Sequence, residues 1–518
     1  MKTSLCNQLF LCTAALALVI MGNTTAQAQF GGLPLWTNRS EGSGFHPALA
    51  VDGSGNVFVA GSSLGTNVNY GYTTIKYSSA GTALWTNRYN GGYGDDTTYA
   101  IAVDSNGNVF VTGRSVFDSS GYHHYATLKY SAAGMPLWTN TYSGPLNGDD
   151  RPNAIAVDGG GNTFVTGYSA SSNVYPYYNY DYTTIGYSSA GVPLWTNRYN
   201  GLGNDDDQAT AVAVDGSGNV FVTGQSGNTN GYTDYPTIAY SGAGLPLWTN
   251  RYNSPGNSYD QATAVAVDRS GNVFVTGRSY GSYATLKYSS SGTALWTNAA
   301  AGGPGTAVAL VLDGSGNVFV TGDSHYHIGD SIYETWKYSS PGVALWTKYY
   351  FQDFIDPVDY PTALAVDASG NVFVTGHSTR FSDPSSYATV AWSGAGVPLW
   401  TNRYRGPGNT NDVATAVAVD RSGNVFVTGY SSGSGSSYDY ATIKYSAIPP
   451  SLTIARTTTN SMAVFWPSPS AGWNLQVNTD LTTTNWNTPG ETVQDNGTLK
   501  FIIVSPTNGA RFYRLKNM

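Results

Sequence analysis

Apolar and polar positions along this chain alternate in short runs that return in the same order eight times. Close variants of Ala-Val-Asp, a short turn, and Gly-Asn-Val-Phe-Val-Thr-Gly place an aspartate at Asp52, Asp104, Asp158, Asp215, Asp268, Asp313, Asp367 and Asp420, on average about 53 residues apart. A Leu-Trp-Thr-Asn-like phrase keeps the same count at Trp36, Trp85, Trp138, Trp195, Trp248, Trp296, Trp346 and Trp400. So does a Tyr-Ala-Thr-Ile-Lys-Tyr-like phrase ending at Tyr77, Tyr130, Tyr187, Tyr240, Tyr288, Tyr338, Trp392 and Tyr445. Each unit holds four alternating segments rich in Val, Ile, Thr, Tyr, Phe and Trp, the residues that suit a pleated surface. In the second unit they predict strands a (Tyr99 to Val103), b (Asn108 to Thr112), c (Tyr125 to Tyr130) and d (Pro136 to Tyr142). The connections Asp104-Ser-Asn-Gly and Ser131-Ala-Ala-Gly are tight turns in which glycine takes the left-handed position. Four antiparallel strands repeated eight times predict an all-β, eight-bladed β-propeller of four-stranded blades.

The phase of the repeat supports closure. The chain opens on a d-type segment, Leu33 to Asn38, and its last unit stops after strand c at Tyr445. The N-terminal strand is therefore expected to complete the last blade and remove the open edge. After Ile448-Pro449-Pro450 the periodicity stops, and Met462 to Trp466, Leu499 to Val504 and Phe512 to Leu515 predict a small C-terminal β-sandwich. The expected division is a signal peptide over 1–28, the propeller over 29–447, a linker over 448–451 and the sandwich over 452–518.

Composition narrows the partners. With 62 Gly and 23 Pro the chain is turn-rich, and only 11% of its residues are charged. A net charge of −8 and the lack of any basic run argue against nucleic acid and against an anionic membrane surface. Lys2, the apolar run Leu9 to Met21 and Ala26-Gln27-Ala28 read as a secretory signal, cut after Ala28. That run is too short to cross a bilayer, so no transmembrane segment is expected. Cys6 and Cys12 both lie inside the expected signal peptide, which leaves the mature chain without a disulfide, a zinc-thiolate site or a cysteine nucleophile. The mature chain is expected to be a monomer, secreted or held at the cell surface, in or beyond a Gram-negative periplasm.

Tyr-Ala-Thr-Leu-Lys-Tyr-Ser-Ala-Ala-Gly (125–134), Asp149-Asp150 and Ala-Ile-Ala-Val-Asp-Gly-Gly-Gly-Asn-Thr-Phe-Val-Thr-Gly (154–167) together resemble the bacterial SBBP β-propeller repeat. The resemblance runs over about residues 33–446. It implies a propeller fold and a secreted or surface location, and it brings no catalytic residues. The C-terminal segment is similar to the short immunoglobulin- or fibronectin-like modules that end many secreted proteins, which implies adhesion, surface sorting or a spacer. The Gly-x-x-Leu-Trp phrase is similar to the tryptophan-docking motif of eight-bladed quinoprotein dehydrogenases. Packing of blade on blade accounts for that similarity, and no matching calcium ligand set is recognisable.

The a–b and c–d turns are short and uniform, whereas the b–c and d–a loops vary and fall on one face of such a disk, which marks the expected binding face. The b–c loops supply Tyr70, Tyr72, Tyr122, Tyr175, Tyr177, Tyr178, Tyr180 and Tyr232, amphipathic rings suited to stacking on sugars. A second carboxylate series, Asp96, Asp150, Asp207, Asp260, Asp359 and Asp412, lies eight residues before the strand-a aspartate of its unit. Six carboxylates around a channel mouth would suit Ca²⁺. The same residues would equally serve as caps on backbone N–H groups entering strand a, and that reading is preferred because the feature belongs to the repeat. The Asp52 series sits in hairpin turns and is read as structural. His123-His124 and His325-Tyr-His327 offer pairs of imidazoles with no third metal ligand identifiable. No nucleophile elbow or phosphate-binding loop is found. The expectation is a non-catalytic binding or adhesion protein without a cofactor, its ligand an extracellular polysaccharide or a surface protein. The rivals are a propeller enzyme, either quinone-dependent oxidoreductase or carbohydrate-active, and a purely structural surface component.

Overall fold

The computed structural model describes residues 32–41, 47–65, 69–119, 121–171, 179–203, 205–299, 305–325, 331–352, 358–379, 383–408, 410–433, 438–446, 452–457, 461–467, 473–495, 499–505 and 510–517. The expected signal peptide and the linker at 448–451 fall outside the described residues. Every regular element among them is a strand. The chain divides into two compact units, one of Pro34–Asp420 with Val425–Tyr445, the other holding Ser446–Met518.

The larger unit contains eight four-stranded antiparallel sheets among the described residues, as propeller blades do. Sheets 1 to 7 are each four consecutive strands a-b-c-d, opening respectively with Ala48–Val51, Thr97–Val103, Asp150–Val157, Asp207–Val214, Gln261–Val267, Gly305–Leu312 and Val358–Val366. Sheet 8 takes three strands from Val413–Val419, Val425–Ser432 and Tyr438–Tyr445 and its fourth from the N-terminal Pro34–Glu41. The register of that pairing runs from Pro34 opposite Tyr445 to Glu41 opposite Asp439. The a strands of successive sheets lie against one another, and the a strand of sheet 8 lies against that of sheet 1.

Strands b and c are buried along nearly their whole length, whereas d alternates as an edge strand with one face in water. The tryptophan of each d strand is the link between sheets. Trp85 packs between Phe58 of its own sheet and Tyr130 of the next, with ring centroids 6.1 Å apart in both cases. Its indole N–H donates to Ala132 O at 3.2 Å in the neighbouring c–d turn, and Asn87 Nδ2 donates to Gly134 O at 2.7 Å. Trp36 repeats the arrangement from sheet 8 onto sheet 1, between Phe426 and Tyr77, with Asn38 Nδ2 on Gly81 O at 2.7 Å. Trp400 is the exception. The sheet it faces has no c–d hairpin, because its d strand comes from the other end of the chain, and the buried Trp400 Nε1 has no acceptor among the described residues.

Seven of the a strands carry a β-bulge just before their alanine pairs, as between Thr98 and Ala100 or between Pro152 and Ala154. The extra residue reaches the next sheet. Asn153 Nδ2 donates to Ala209 O at 2.7 Å, Thr210 Oγ1 to Ala262 O at 2.7 Å and Thr263 Oγ1 to Ala307 O at 2.7 Å. Thr415 Oγ1 does the same from sheet 8 to Pro47 O in front of sheet 1, at 2.5 Å.

In the smaller unit Thr453–Arg456, Met462–Pro467, Leu499–Val504 and Gln494–Asp495 form one sheet, and Trp473–Asn478 pairs with Phe512–Asn517 in a second. Val464, Trp466, Ile502 and Val504 of the first share a core with Leu475 and Tyr513 of the second.

Candidate functional site

The two ends of each sheet in the larger unit differ in kind. At the a–b end, Asp104 accepts from Asn106 N and Asn108 N through Oδ1, both at 2.9 Å, and from Asn108 Nδ2 through Oδ2 at 2.7 Å. Asp158, Asp215, Asp268, Asp313 and Asp367 repeat this pattern, so these carboxylates are consumed by their own turns. At the opposite end, where the b–c and d–a loops lie, the second carboxylate series is buried and bound to backbone. Asp96 accepts from Gly91 N at 2.7 Å and Val116 N at 3.1 Å. Asp412 accepts from Gly406 N at 2.7 Å and Ser432 N at 3.0 Å. Asp260 and Asp359 take Ser254 N at 2.7 Å and Gln352 N at 2.9 Å. Asp150 takes Gly144 N at 2.7 Å, the hydroxyl of Ser169, and His124 Nδ1 at 3.1 Å. Each aspartate thus pins the start of its d–a loop, which is the capping role. Among the described residues no three His, Cys, Asp or Glu side chains stand together as a metal site.

Asp207, Asp260 and Asp359 each leave Oδ1 buried without a hydrogen-bond partner, and Asp207 accepts the Gly201 N–H through Oδ2 at 2.5 Å. Burial pushes the Asp207 carboxyl up to about 6, against the pull of its hydrogen bonds. A raised value means that the folded chain holds the proton more tightly than the unfolded chain. Ionisation above pH 6 therefore costs stability, and that cost is relieved as pH falls from about 6 toward 4. Asp207→Asn is expected to be more stable relative to the wild type at pH 7.5 than at pH 4.5, by at most about 3 kcal/mol. Urea midpoints at the two pH values measure the gap; a gap that does not widen with pH removes this account of Asp207.

The tyrosines expected to bind ligand divide. Tyr72 is 1% exposed and does not face the loops: its ring packs on Tyr89 at 5.3 Å and its hydroxyl donates to Ala126 O of sheet 2 at 3.4 Å. It is the first tyrosine of the strand-c phrase, equivalent to the buried Tyr125, Tyr182, Tyr235 and Tyr333, and that recurrence was the signal that it belongs to the core. Tyr70 is half-buried, its N–H held by Asp95 Oδ1 at 2.8 Å. Tyr122 and Tyr232 are 41% and 38% exposed, and Tyr180 sits edge-on to Tyr168 at 4.9 Å. Tyr175, Tyr177 and Tyr178 lie outside the described residues. The sequence reading missed Tyr259, which is 57% exposed and edge-on to Tyr232 at 5.2 Å.

It also missed a column at the end of strand b. Between a glycine and a serine present in all eight sheets stand Ser62, Arg114, Tyr168, Gln225, Arg278, Asp323, His377 and Tyr430. Each lies next to the b–c loop, and the strand-a residue paired with it varies as well: Thr97 opposite Arg114, Arg151 opposite Tyr168, Gln261 opposite Arg278, Tyr360 opposite His377. Six side-chain types in eight copies, set between constant neighbours, are what a ligand surface on a fixed frame requires. Aligning the units against one another would have found it.

The sequence profile of the β-propeller repeat family, SBBP, matches residues 84–117, 247–284 and 403–435. No curated protein matches the chain. Among solved structures it is similar to a eukaryotic initiation factor at 10% identity, over 72% of this chain and 90% of that one, with a TM-score of 0.38. A puromycin hydrolase matches at 11% identity over 82% and 59% of the two chains, TM-score 0.42. A gluconolactonase from Xanthomonas campestris matches at 13% identity over 55% and 95%, TM-score 0.28.

Proposed function

We propose that the eight sheets are the blades of one closed β-propeller, that the C-terminal unit is a small β-sandwich, and that the protein is secreted or surface-held. In this reading it binds without catalysis, taking extracellular polysaccharide on the end that carries the b–c and d–a loops. The observation that carries the reading is the contrast between ends. The a–b end repeats the same residues and bonds from unit to unit, whereas variation collects in the strand-b column and the loops beside it. Aromatic pairs at this end, the exposed Tyr232 with Tyr259 and the half-buried Tyr168 with Tyr180, offer apolar ring faces beside hydroxyls, the combination that suits a sugar.

The test is thermal unfolding of the full chain against a panel of neutral and acidic polysaccharides, because a ligand bound only by the folded state raises the melting temperature. At least one polysaccharide is expected to raise it in a saturable way. The double variant Tyr232→Ala, Tyr259→Ala is expected to weaken retention of that polysaccharide about tenfold while its own melting temperature stays within a degree or so of the wild type. No shift with any polysaccharide overturns the reading in favour of a protein partner or a structural role.

A further inference from the structure

The arginines at the ends of the d strands are all engaged. Arg39 reaches Asp439 at 2.8 Å, Arg198 reaches Asp181 at 3.2 Å and Arg251 reaches Asp234 at 2.9 Å. Arg114 and Arg151, on the adjacent sheets 2 and 3, are different. No ion pair ties either of them among the described residues, and the Nε of each is buried with no hydrogen-bond partner. A guanidinium N–H withdrawn from water and left unmatched is costly unless an acceptor arrives.

Their surroundings define what that acceptor is. The Arg151 guanidinium lies 4.3 Å over the Tyr99 ring, a cation–π contact that fixes its plane. Tyr168 is directly opposite Arg151 across the a–b ladder, and Tyr180 stands edge-on to it at 4.9 Å. Arg114 is paired with Tyr125, whose hydroxyl reaches Tyr168 O and Thr183 O of sheet 3 at 3.4 and 3.3 Å, so Arg114 shares the face of sheet 2 turned toward sheet 3. The Tyr99 hydroxyl feels both cations: burial raises its pKa while Arg151 and Arg114 pull it down. Of the carboxylates nearby in sequence, Asp96 and Asp150 are committed to backbone N–H groups and to His124, Asp149 accepts the His123 N–H at 2.9 Å, and Asp118 stands 3.6 Å from His124 Nε2. At the corresponding place between sheets 5 and 6, Arg278 is already offset by Asp323.

We propose that Arg114 and Arg151, with Tyr99 and Tyr168, form a site for the oxyanion of an acidic polysaccharide, a uronate carboxylate or a sulfate ester, the sugar ring resting against the tyrosines. The proposal deepens the polysaccharide reading and rests on it. Arginine is the residue for this task because its planar fork meets a carboxylate or sulfate with two hydrogen bonds at once. The bulk field does not favour such a polymer, since the net charge is −8, so its retention would report a local site.

The experiment measures retention of the full chain on polygalacturonate, its methyl ester, dextran sulfate and dextran at moderate salt. The variants are Arg114→Gln with Arg151→Gln, Arg114→Lys with Arg151→Lys, and Arg269→Gln in an a–b turn as a control for general charge. Polygalacturonate or dextran sulfate is expected to bind the wild type at least tenfold more tightly than its neutral counterpart. The glutamine pair is expected to abolish that preference with an unchanged melting temperature, the lysine pair to restore only part of it, and the control to leave it intact. Which anionic polymer is preferred separates carboxylate from sulfate. Binding of the neutral polymers alone, a glutamine pair that binds within twofold of the wild type, or equal loss in the Arg269 variant would each overturn the site while leaving the polysaccharide reading standing. Binding of none of the four would remove the site, and with the wider panel also negative it would remove the reading.

Discussion

A chain that begins at Ser43, without the strand Pro34–Glu41, is expected to lose the wild-type folded state and to associate. The deletion leaves Tyr438–Tyr445 as an unpaired edge in sheet 8, a template for pairing between molecules. It also removes Trp36 from between Phe426 and Tyr77, and Arg39 from its bonds to Tyr404 at 2.7 Å and Ser431 at 2.8 Å. Trp36→Ala alone should cost about 2–3 kcal/mol, below the range for a fully buried tryptophan because the ring is only partly buried. The truncation removes that contact together with a whole ladder of hydrogen bonds. Size-exclusion chromatography and urea unfolding read the outcome, and a synthetic peptide spanning residues 32–42, added in trans, should recover part of the wild-type elution peak. A truncated chain that keeps the wild-type elution volume and midpoint would show that the N-terminal strand is dispensable.

Gly167→Ala is expected to destabilise by at least about 3 kcal/mol, the upper end for overpacking. A Cβ there would lie 2.0 Å from Arg151 O, 2.7 Å from Pro152 Cα and 2.8 Å from the Tyr125 hydroxyl. Two of these are backbone atoms of the bulged a strand, and the third is a fully buried ring anchored from sheet 2, so nothing nearby yields cheaply. Gly216→Ala is the control: its Cβ meets nothing within 4 Å and should change stability by less than about 0.5 kcal/mol. Equal urea midpoints for the two variants would refute the packing argument. Because Gly167 touches Arg151 and Pro152, its variant should also weaken any ligand that depends on Arg151.

The strands were legible because each kind of signal repeats. The second unit was expected to run Tyr99 to Val103, Asn108 to Thr112, Tyr125 to Tyr130 and Pro136 to Tyr142, and the observed strands are Thr97–Val103, Val109–Ser115, His124–Tyr130 and Pro136–Tyr142. The start of the a strand was not legible. Its bulge has no glycine to announce it, yet it shifts the alternation by one, so that Asp150 pairs with Ser169 and turns into its own loops while Arg151 pairs with Tyr168. Simple alternation counted back from Ala154 puts these two neighbours on the wrong faces. Tyr72 failed for another reason: it was counted with the loop before it although it fits the strand-c phrase. The arginine pair escaped because variation was sought in loop length, whereas it lies at one register inside a strand.

The closing strand carries a kinetic consequence. Seven sheets can form as chain-local meanders, each hairpin needing only a short loop, which favours fast and independent assembly. Sheet 8 alone must join segments at opposite ends of the unit, as in the Arg39 to Asp439 pair, 400 residues apart. The entropy of that encounter grows only with the logarithm of the separation, but near-identical strands from eight units compete for the same edge. Refolding should therefore show a fast phase from the meanders and a slow one from the search for the correct partner. Kinetic partitioning between closure and mispairing, rather than equilibrium stability, then sets the yield.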